Sequence, residues 1–390
     1  MPSLTSNLRP LLSTFKEKFY LSAFHQQTQI RFKSLNMRLT KTLFFLVALL
    51  SGFNCLQAQD LHNTLFYMNP LHINPAFAGA YEGSYRIGGI YRDQARTVVT
   101  NAYSTPTIFV DAPIVMIGKR HWIGVGMLMF RDQAGDGKLR TTAGQLTGAF
   151  HLALDKKSKN VLTLGVQWGR VQRQIKNRFG LEFADFLEQR QGGVANPATA
   201  DKVLGGSGSG TPSSNQDPEK AFSDINAGLL FKSKVSKDMD YNFGFSVRHI
   251  TTPDTEYNFG SSNVDLPMRI TAHAQLNTAL TDKWSITPEL YYSNISPASQ
   301  FQIHGWAGYM LKPEKNIKLN FGLGYRMTDA GQILAGLDYG SLKAALAYDL
   351  TLSELSNTNN YQGGFEIAVY YIGKIYKKPT VKPVIIGPHL

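Results

Sequence analysis

From about residue 83 onward, apolar and polar residues alternate with a period of two. Ile317, Leu319, Phe321, Leu323 and Tyr325 alternate with Lys318, Asn320, Gly322, Gly324 and Arg326. Leu162, Leu164, Val166 and Trp168 alternate with Thr163, Gly165, Gln167 and Gly169, and the stretches Tyr241 to Arg248 and Met268 to Asn277 follow the same rule. Successive side chains on a strand point to opposite faces, so each segment has one greasy face and one polar or small face. About 14 segments read this way, near 83–94, 105–113, 121–131, 140–154, 160–173, 222–233, 240–250, 267–280, 282–293, 300–312, 315–326, 331–339, 341–350 and 364–373. Each has roughly the 9–14 residues that a tilted strand needs to cross a bilayer, against about 5–6 for strands of soluble proteins. The pattern predicts an all-β fold: an antiparallel transmembrane β-barrel of about 14 strands spanning 83–373, with both ends in the periplasm. A large soluble sandwich or double barrel is the rival architecture; long strands and an export signal weigh against it.

The connections test this independently. Stretches after the fifth, seventh and thirteenth segments are long (about 174–221, 251–266 and 351–363), whereas those near 155–159, 281, 313–314 and 340 are short. Long connections outside and short ones inside are the outer-membrane pattern. The longest contains Gly205-Gly206-Ser207-Gly208-Ser209-Gly210 and reads as a flexible extracellular loop. No Lys-Ser or Lys-Thr follows that run, so it is no phosphate cradle.

The export signal lies at 37–58. Met37 to Thr42 form a short basic start, Leu43 to Leu50 an unbroken apolar run, and Ala58 a small residue for cleavage before Gln59. The apolar run is far shorter than the ~20 residues of a spanning helix. Residues 1–36 precede this signal, and translation from Met37 explains them most simply as a non-native leader. Cys55, the one cysteine, leaves with the signal. The chain has 40 basic and 28 acidic residues; seven and one of them precede Gln59, which halves the net charge of +12 to about +6. No basic stripe with interleaved aromatics points to nucleic acid. The tail 374–390 is rich in lysine and proline.

Between signal and barrel, at 59–82, lies Asn69-Pro70-Leu71-His72-Ile73-Asn74-Pro75-Ala76-Phe77-Ala78-Gly79. Each Asn-Pro step favours a turn, and proline cannot donate to a ladder. This segment is therefore expected to fold into the lumen or plug its periplasmic mouth. It resembles the start of the PorP/SprF family of Bacteroidetes. Tyr91-Arg92-Asp93-Gln94 is similar to that family's Tyr-Arg-x-Gln, and Gly324-Tyr325-Arg326 with Asp329-Ala330 to its Gly-Tyr-Arg-x-x-Asp-Ala element. Asn226 to Phe231, Gly244 to His249, Tyr348-Asp349-Leu350 and Gly363-Gly364-Phe365-Glu366 resemble its middle and closing strands. The tail departs from the family, which usually stops near the last strand. The resemblance implies an outer-membrane accessory barrel of type IX secretion and gliding. Its implied partners are outer-membrane lipid, the C-terminal region of a secreted surface protein, and periplasmic type IX components.

Nothing in the sequence makes a case for catalysis, a metal or a cofactor. The nine histidines are scattered, with no His-Glu-x-x-His, no paired cysteines and no Gly-x-Ser-x-Gly. His273 and His304 fall on polar strand positions, where a histidine is more often solvated or hydrogen-bonded than catalytic. Arg248, Arg269, Glu289, Asp338 and Asp349 share such positions. Arg92, Arg326 and Asp329 are expected to brace the Asn-Pro segment against the wall, with Gln94, Asn69, Pro70, Asn74, Pro75, Ala76 and Gly79 as the other motif positions. A diffusion channel for small molecules is the rival function.

Overall fold

The computed structural model describes residues 62–94, 103–134, 138–175, 219–254, 265–296, 298–353 and 356–375. The leader 1–36, the signal 37–58, most of the loop 174–221 and most of the tail lie outside the described residues.

Fourteen strands form one closed antiparallel barrel, the number the alternation predicts. They are β1 (Tyr85–Gln94), β2 (Tyr103–Ile117), β3 (His121–Ala134), β4 (Leu139–Ala153), β5 (Asn160–Ile175), β6 (Glu219–Lys234), β7 (Met239–Arg248), β8 (Arg269–Ala279), β9 (Trp284–Ile295), β10 (Ala298–Lys312), β11 (Ile317–Arg326), β12 (Ala330–Tyr339), β13 (Leu342–Thr351) and β14 (Gln362–Gly373). Each strand pairs with its neighbours in sequence, and β1 pairs with β14, Arg92 opposite Glu366, which closes the circle.

Closure pairs the strands' backbones with one another around the whole circle, the condition for crossing hydrocarbon with strands, with β2 beyond Asp111 paired on its β3 side alone. It also inverts the usual distribution of polarity. Phe321 and Leu323 of β11 point outward and are 60% and 70% exposed, while the intervening Gly322 and Gly324 face inward. Thr163, Gln167, Ser246, His273, Gln302 and Glu366 are buried in the lumen. The apolar face thus meets lipid and the polar face makes the core. Aromatic pairs mark one rim: Tyr85 with Tyr371 at 6.2 Å, Trp284 with Tyr309 at 4.9 Å and Phe231 with Tyr241 at 6.1 Å between ring centres. Such a girdle sits where hydrocarbon gives way to headgroups.

That rim carries the short connections, 118–120, 154–159, 235–238, 280–283, 313–316 and 340–341. The opposite, long-loop end carries the long connections after β5, β7 and β13, where the sequence places them. Connections there after β9 and β11 are short as well, at 296–297 and 327–329. A hairpin closes with a few residues at either end, so length distinguishes the two ends only where a loop has been extended.

The ends of the chain, which the sequence places in the periplasm, lie outside the described residues. β1 begins and β14 finishes at the short-turn end, but the residues ahead of β1 do not stay there. Thr64 lies in the lumen at the long-loop end, among Arg92, Asp349, Arg326 and Glu366, all in the long-loop halves of their strands. Of the two places expected for the Asn-Pro segment, the lumen and its periplasmic mouth, it takes the first and runs the length of the lumen.

Outward positions midway along a strand should reject charge. Phe321→Arg is expected to destabilise the barrel by about 2–4 kcal/mol in lipid vesicles, against little for Phe321→Leu. Reversible denaturant unfolding measures the difference.

Candidate functional site

Residues 64–80 occupy the lumen as three short turns, a 3-10 turn at Phe66–Met68, one α-turn at Pro70–Ile73 and a second 3-10 turn at Pro75–Phe77. The two prolines begin their turns, where a missing N–H costs nothing and φ is already set. Asn74 caps the last turn, its side-chain oxygen accepting from the Ala76 N–H at 2.9 Å. Asn69, Leu71, Asn74, Ala76 and Ala78 are completely buried.

A segment buried without a sheet partner needs the wall to meet its polar groups. The wall meets the backbone with side chains aimed at it, while the wholly buried Asn69 amide has no hydrogen-bond partner among the described residues. At the long-loop end, the Glu366 carboxylate accepts from the N–H groups of Thr64 and Leu65 at 2.6 and 2.7 Å, and Gln302 donates to the Thr64 carbonyl at 2.9 Å. Midway, Gln167 donates to the Leu71 carbonyl and Ser246 to that of Ile73, while the Asn74 amide donates to the carbonyls of Leu229 and Phe245. His273 lies 3.1 Å from the Asn74 amide nitrogen and 3.0 Å from the Tyr67 hydroxyl. Toward the short-turn end, the Trp122 indole donates to the Gly79 carbonyl, His151 Nε2 sits 2.8 Å from that of Ala78, and the Lys232 ammonium donates to that of Ala80. Trp122 and His151 stack at 4.5 Å.

Two clusters of charge fix the ends. In the first, Arg92 pairs with Glu366 and Asp349, Arg326 pairs with Asp349 and Asp329, and the Thr64 hydroxyl donates to Asp349 while accepting from both arginines at 3.0 Å. Gln94 accepts from Arg92. In the second, Arg86 grips Asp111 through two hydrogen bonds and donates to the Phe77 carbonyl, and Asp111 accepts from the Gly79 N–H. Buried charges of this kind hold only when paired and fully bonded.

The wall is also cut to the shape of the segment. A Cβ on Gly165 would stand 2.3 Å from the Ala76 nitrogen, and one on Gly124 2.0 Å from the Ala78 carbonyl oxygen. Gly79 has φ of +71°, a left-handed bend that turns the chain toward β1.

Of the residues singled out in the sequence, Asn69, Pro70, Asn74, Pro75, Ala76 and Gly79 all lie in the lumenal segment. Arg92, Gln94, Arg326 and Asp329 gather at the long-loop end. Arg92 and Arg326 do reach the segment, but at Thr64, ahead of the Asn-Pro steps, and Asp329 touches it only through Arg326. Thr64, Glu366 and the Arg86–Asp111 pair were not foreseen as its anchors. Glu366 carried a usable signal: it is a lone acid at an inward position of an otherwise apolar strand.

Glu366→Ala would leave Arg92 short of a partner and two N–H groups unmet, and is expected to cost about 3–5 kcal/mol in denaturant unfolding. Gly165→Leu is expected to expel the segment: a cysteine placed at Ala76, silent to a hydrophilic maleimide in the parent barrel, becomes labelled.

Among solved structures the chain is similar to the CymD monoaromatic hydrocarbon channel (TM-score 0.47, 11% identity, covering 80% of this chain and 94% of that one). It is also similar to the toluene transporter TbuX of Ralstonia pickettii (0.45, 12%, 78% and 93%) and to the toluene transporter TodX of Pseudomonas putida (0.44, 12%, 77% and 92%). No curated protein matches the chain in sequence. The family described as type IX secretion system membrane protein PorP/SprF matches residues 56–371. A closed fourteen-strand barrel with a greasy outer face, matched over most of its length, this chain belongs to the PorP/SprF family of type IX secretion system membrane proteins.

Proposed function

We propose that this barrel is a plugged outer-membrane holder for a secreted protein. It retains or helps export a specific surface protein, does no covalent chemistry, and passes no solute. The supporting observation is the filled lumen: residues 64–80 are hydrogen-bonded to the wall from the long-loop end to the short-turn end. A lumen stapled at both ends by buried ion pairs is a poor conduit. Family membership supplies the context of secretion.

By the outer-membrane rule, long loops face the exterior and short turns the periplasm. The long-loop end would then hold the C-terminal region of the surface protein, with the loop between β5 and β6 as the chief contact, since loops on a rigid scaffold commonly carry recognition. The short-turn end would meet periplasmic components of the secretion machinery. Outer-membrane lipid is the third partner, through the apolar belt.

Affinity purification of the tagged chain from native outer membranes is expected to recover type IX components and one large surface protein. That surface protein should leave the cell surface when the chain is deleted. In planar bilayers the purified barrel should show no steady large conductance. A solitary barrel with an open conductance would replace this reading with the channel.

A further inference from the structure

The outer face of the barrel changes character on three adjacent strands, β3, β4 and β5. Followed along β4 toward the long-loop end, outward Leu146 has Met127 and Trp168 beside it, and Gly144 has Met129 and Arg170. Thr142 then has Arg131 and Gln172 beside it, and Arg140 has Gln133 and Gln174. Both registers run unbroken through these rows. Three outward arginines therefore follow directly on a lipid-facing surface.

Their level is the membrane surface. Tyr91, Trp168, Tyr325 and Tyr348 point outward in the long-loop halves of β1, β5, β11 and β13, and all are exposed. They form a second aromatic belt, opposite the girdle at the short turns, and such belts lie where hydrocarbon gives way to headgroups. Arg170 is two residues past Trp168 on the same face. Past the belt on other strands the outward positions include Ser104, Ser223, Asn294, Ser299 and Leu350, and among the described residues none of them is lysine or arginine.

The fold makes little use of these arginines. Among the described residues, Arg131 and Arg170 are exposed and make no hydrogen bond or ion pair. Arg140 donates to Gln133 at 3.2 Å, and its Nε has no partner. The outward carboxylates that share the Arg140 row lie two or more strands away and are engaged: Glu219 accepts from Gln172 and Gln174, and Asp93 from the Tyr91 hydroxyl. Asp132 faces inward and accepts from Thr105.

The wall is recessed beside the arginines. A Cβ on Gly144 or on Gly148 would meet nothing within 4 Å, which leaves a hollow on either side of Leu146. Arg131 and Arg170 flank the upper hollow, two strand spacings across and two residues along, about 12 Å apart at the backbone. Their long side chains can converge over it. An occupant of this patch must reach from hydrocarbon to the surface, as a lipid does, and must bring negative charge to unpaired cations at its head.

We propose that Arg131, Arg140 and Arg170 bind the phosphate of a membrane lipid, with its acyl chain against the hollows at Gly144 and Gly148. A guanidinium suits this role because its planar fork meets phosphate through two parallel bonds. The inference deepens the lipid contact proposed above and rests on the barrel's place in a membrane, not on its role in secretion.

Trp168, beside the site, reports on it. Trp122 and Trp306 donate to partners in the lumen, and Trp284→Phe removes the outward tryptophan of the other rim. The purified barrel is placed in phosphatidylcholine vesicles carrying a small fraction of either brominated phosphatidate or brominated phosphatidylcholine. Phosphatidate is expected to quench Trp168 as if enriched there about tenfold, the worth of one hydrogen bond to a charged group. The enrichment should vanish when Arg131→Gln, Arg140→Gln and Arg170→Gln are combined. It should fall with Gly144→Leu, which keeps every charge but fills the hollow, and should persist when inorganic phosphate is added to the buffer. Heat-modifiable mobility checks that each barrel is folded. Equal quenching by the two lipids in the parent, or an enrichment indifferent to the triple substitution or to Gly144→Leu, would overturn the proposal. The membrane reading fails on a different result, a folded barrel that does not enter vesicles at all.

Discussion

The lumen confronts residues 64–80 with one demand: their backbone is buried at membrane depth, away from any ladder, and must still be hydrogen-bonded. Most features of the interior follow from that demand. The two prolines remove donors at turn starts. Asn74 closes its own turn and reaches two wall carbonyls. Glutamine, serine, histidine, tryptophan and lysine side chains project from β3 to β7 to meet the remaining carbonyls. Removing any one of them costs about 1–3 kcal/mol for the orphaned group, which makes the segment and the wall a single unit.

The charge clusters extend this logic to the ends. Arg92, Arg326, Asp349 and Glu366 come from β1, β11, β13 and β14, so Thr64 ties together strands that are distant in sequence and straddle the closing seam. Arg86 and Asp111 do the same for β1 and β2 where the chain leaves the lumen. The segment is thus a strut inside the barrel as well as a stopper, and strut and partner-holding role agree: a rigid scaffold presents its loops and rims in fixed positions.

The barrel was legible in the sequence because its signal is local. Period-two alternation needs only neighbours, and it gave the strand number, the outward face and most strand positions. Residues such as Phe321 and His273 point where parity says they should. The lumenal path was not legible. Two Asn-Pro steps announce turns and a poor strand, but direction through the lumen is set by contacts hundreds of residues apart, such as Thr64 with Glu366 and Asp349. Arg92 and Arg326 drew notice as charges on inward faces, yet their common target, the Thr64 hydroxyl, is a residue type with no distinguishing pattern.

The central claim is that residues 64–80 belong to the folded core of the barrel. Amide hydrogen exchange on the purified protein in lipid addresses it directly. The account predicts that the N–H groups of Thr64, Leu65, Ala76 and Gly79 exchange as slowly as those of the surrounding strands, because opening them requires breaking the Glu366, Asn74 and Asp111 bonds. Exchange at the rate of exposed loops, with the strands still protected, would contradict it.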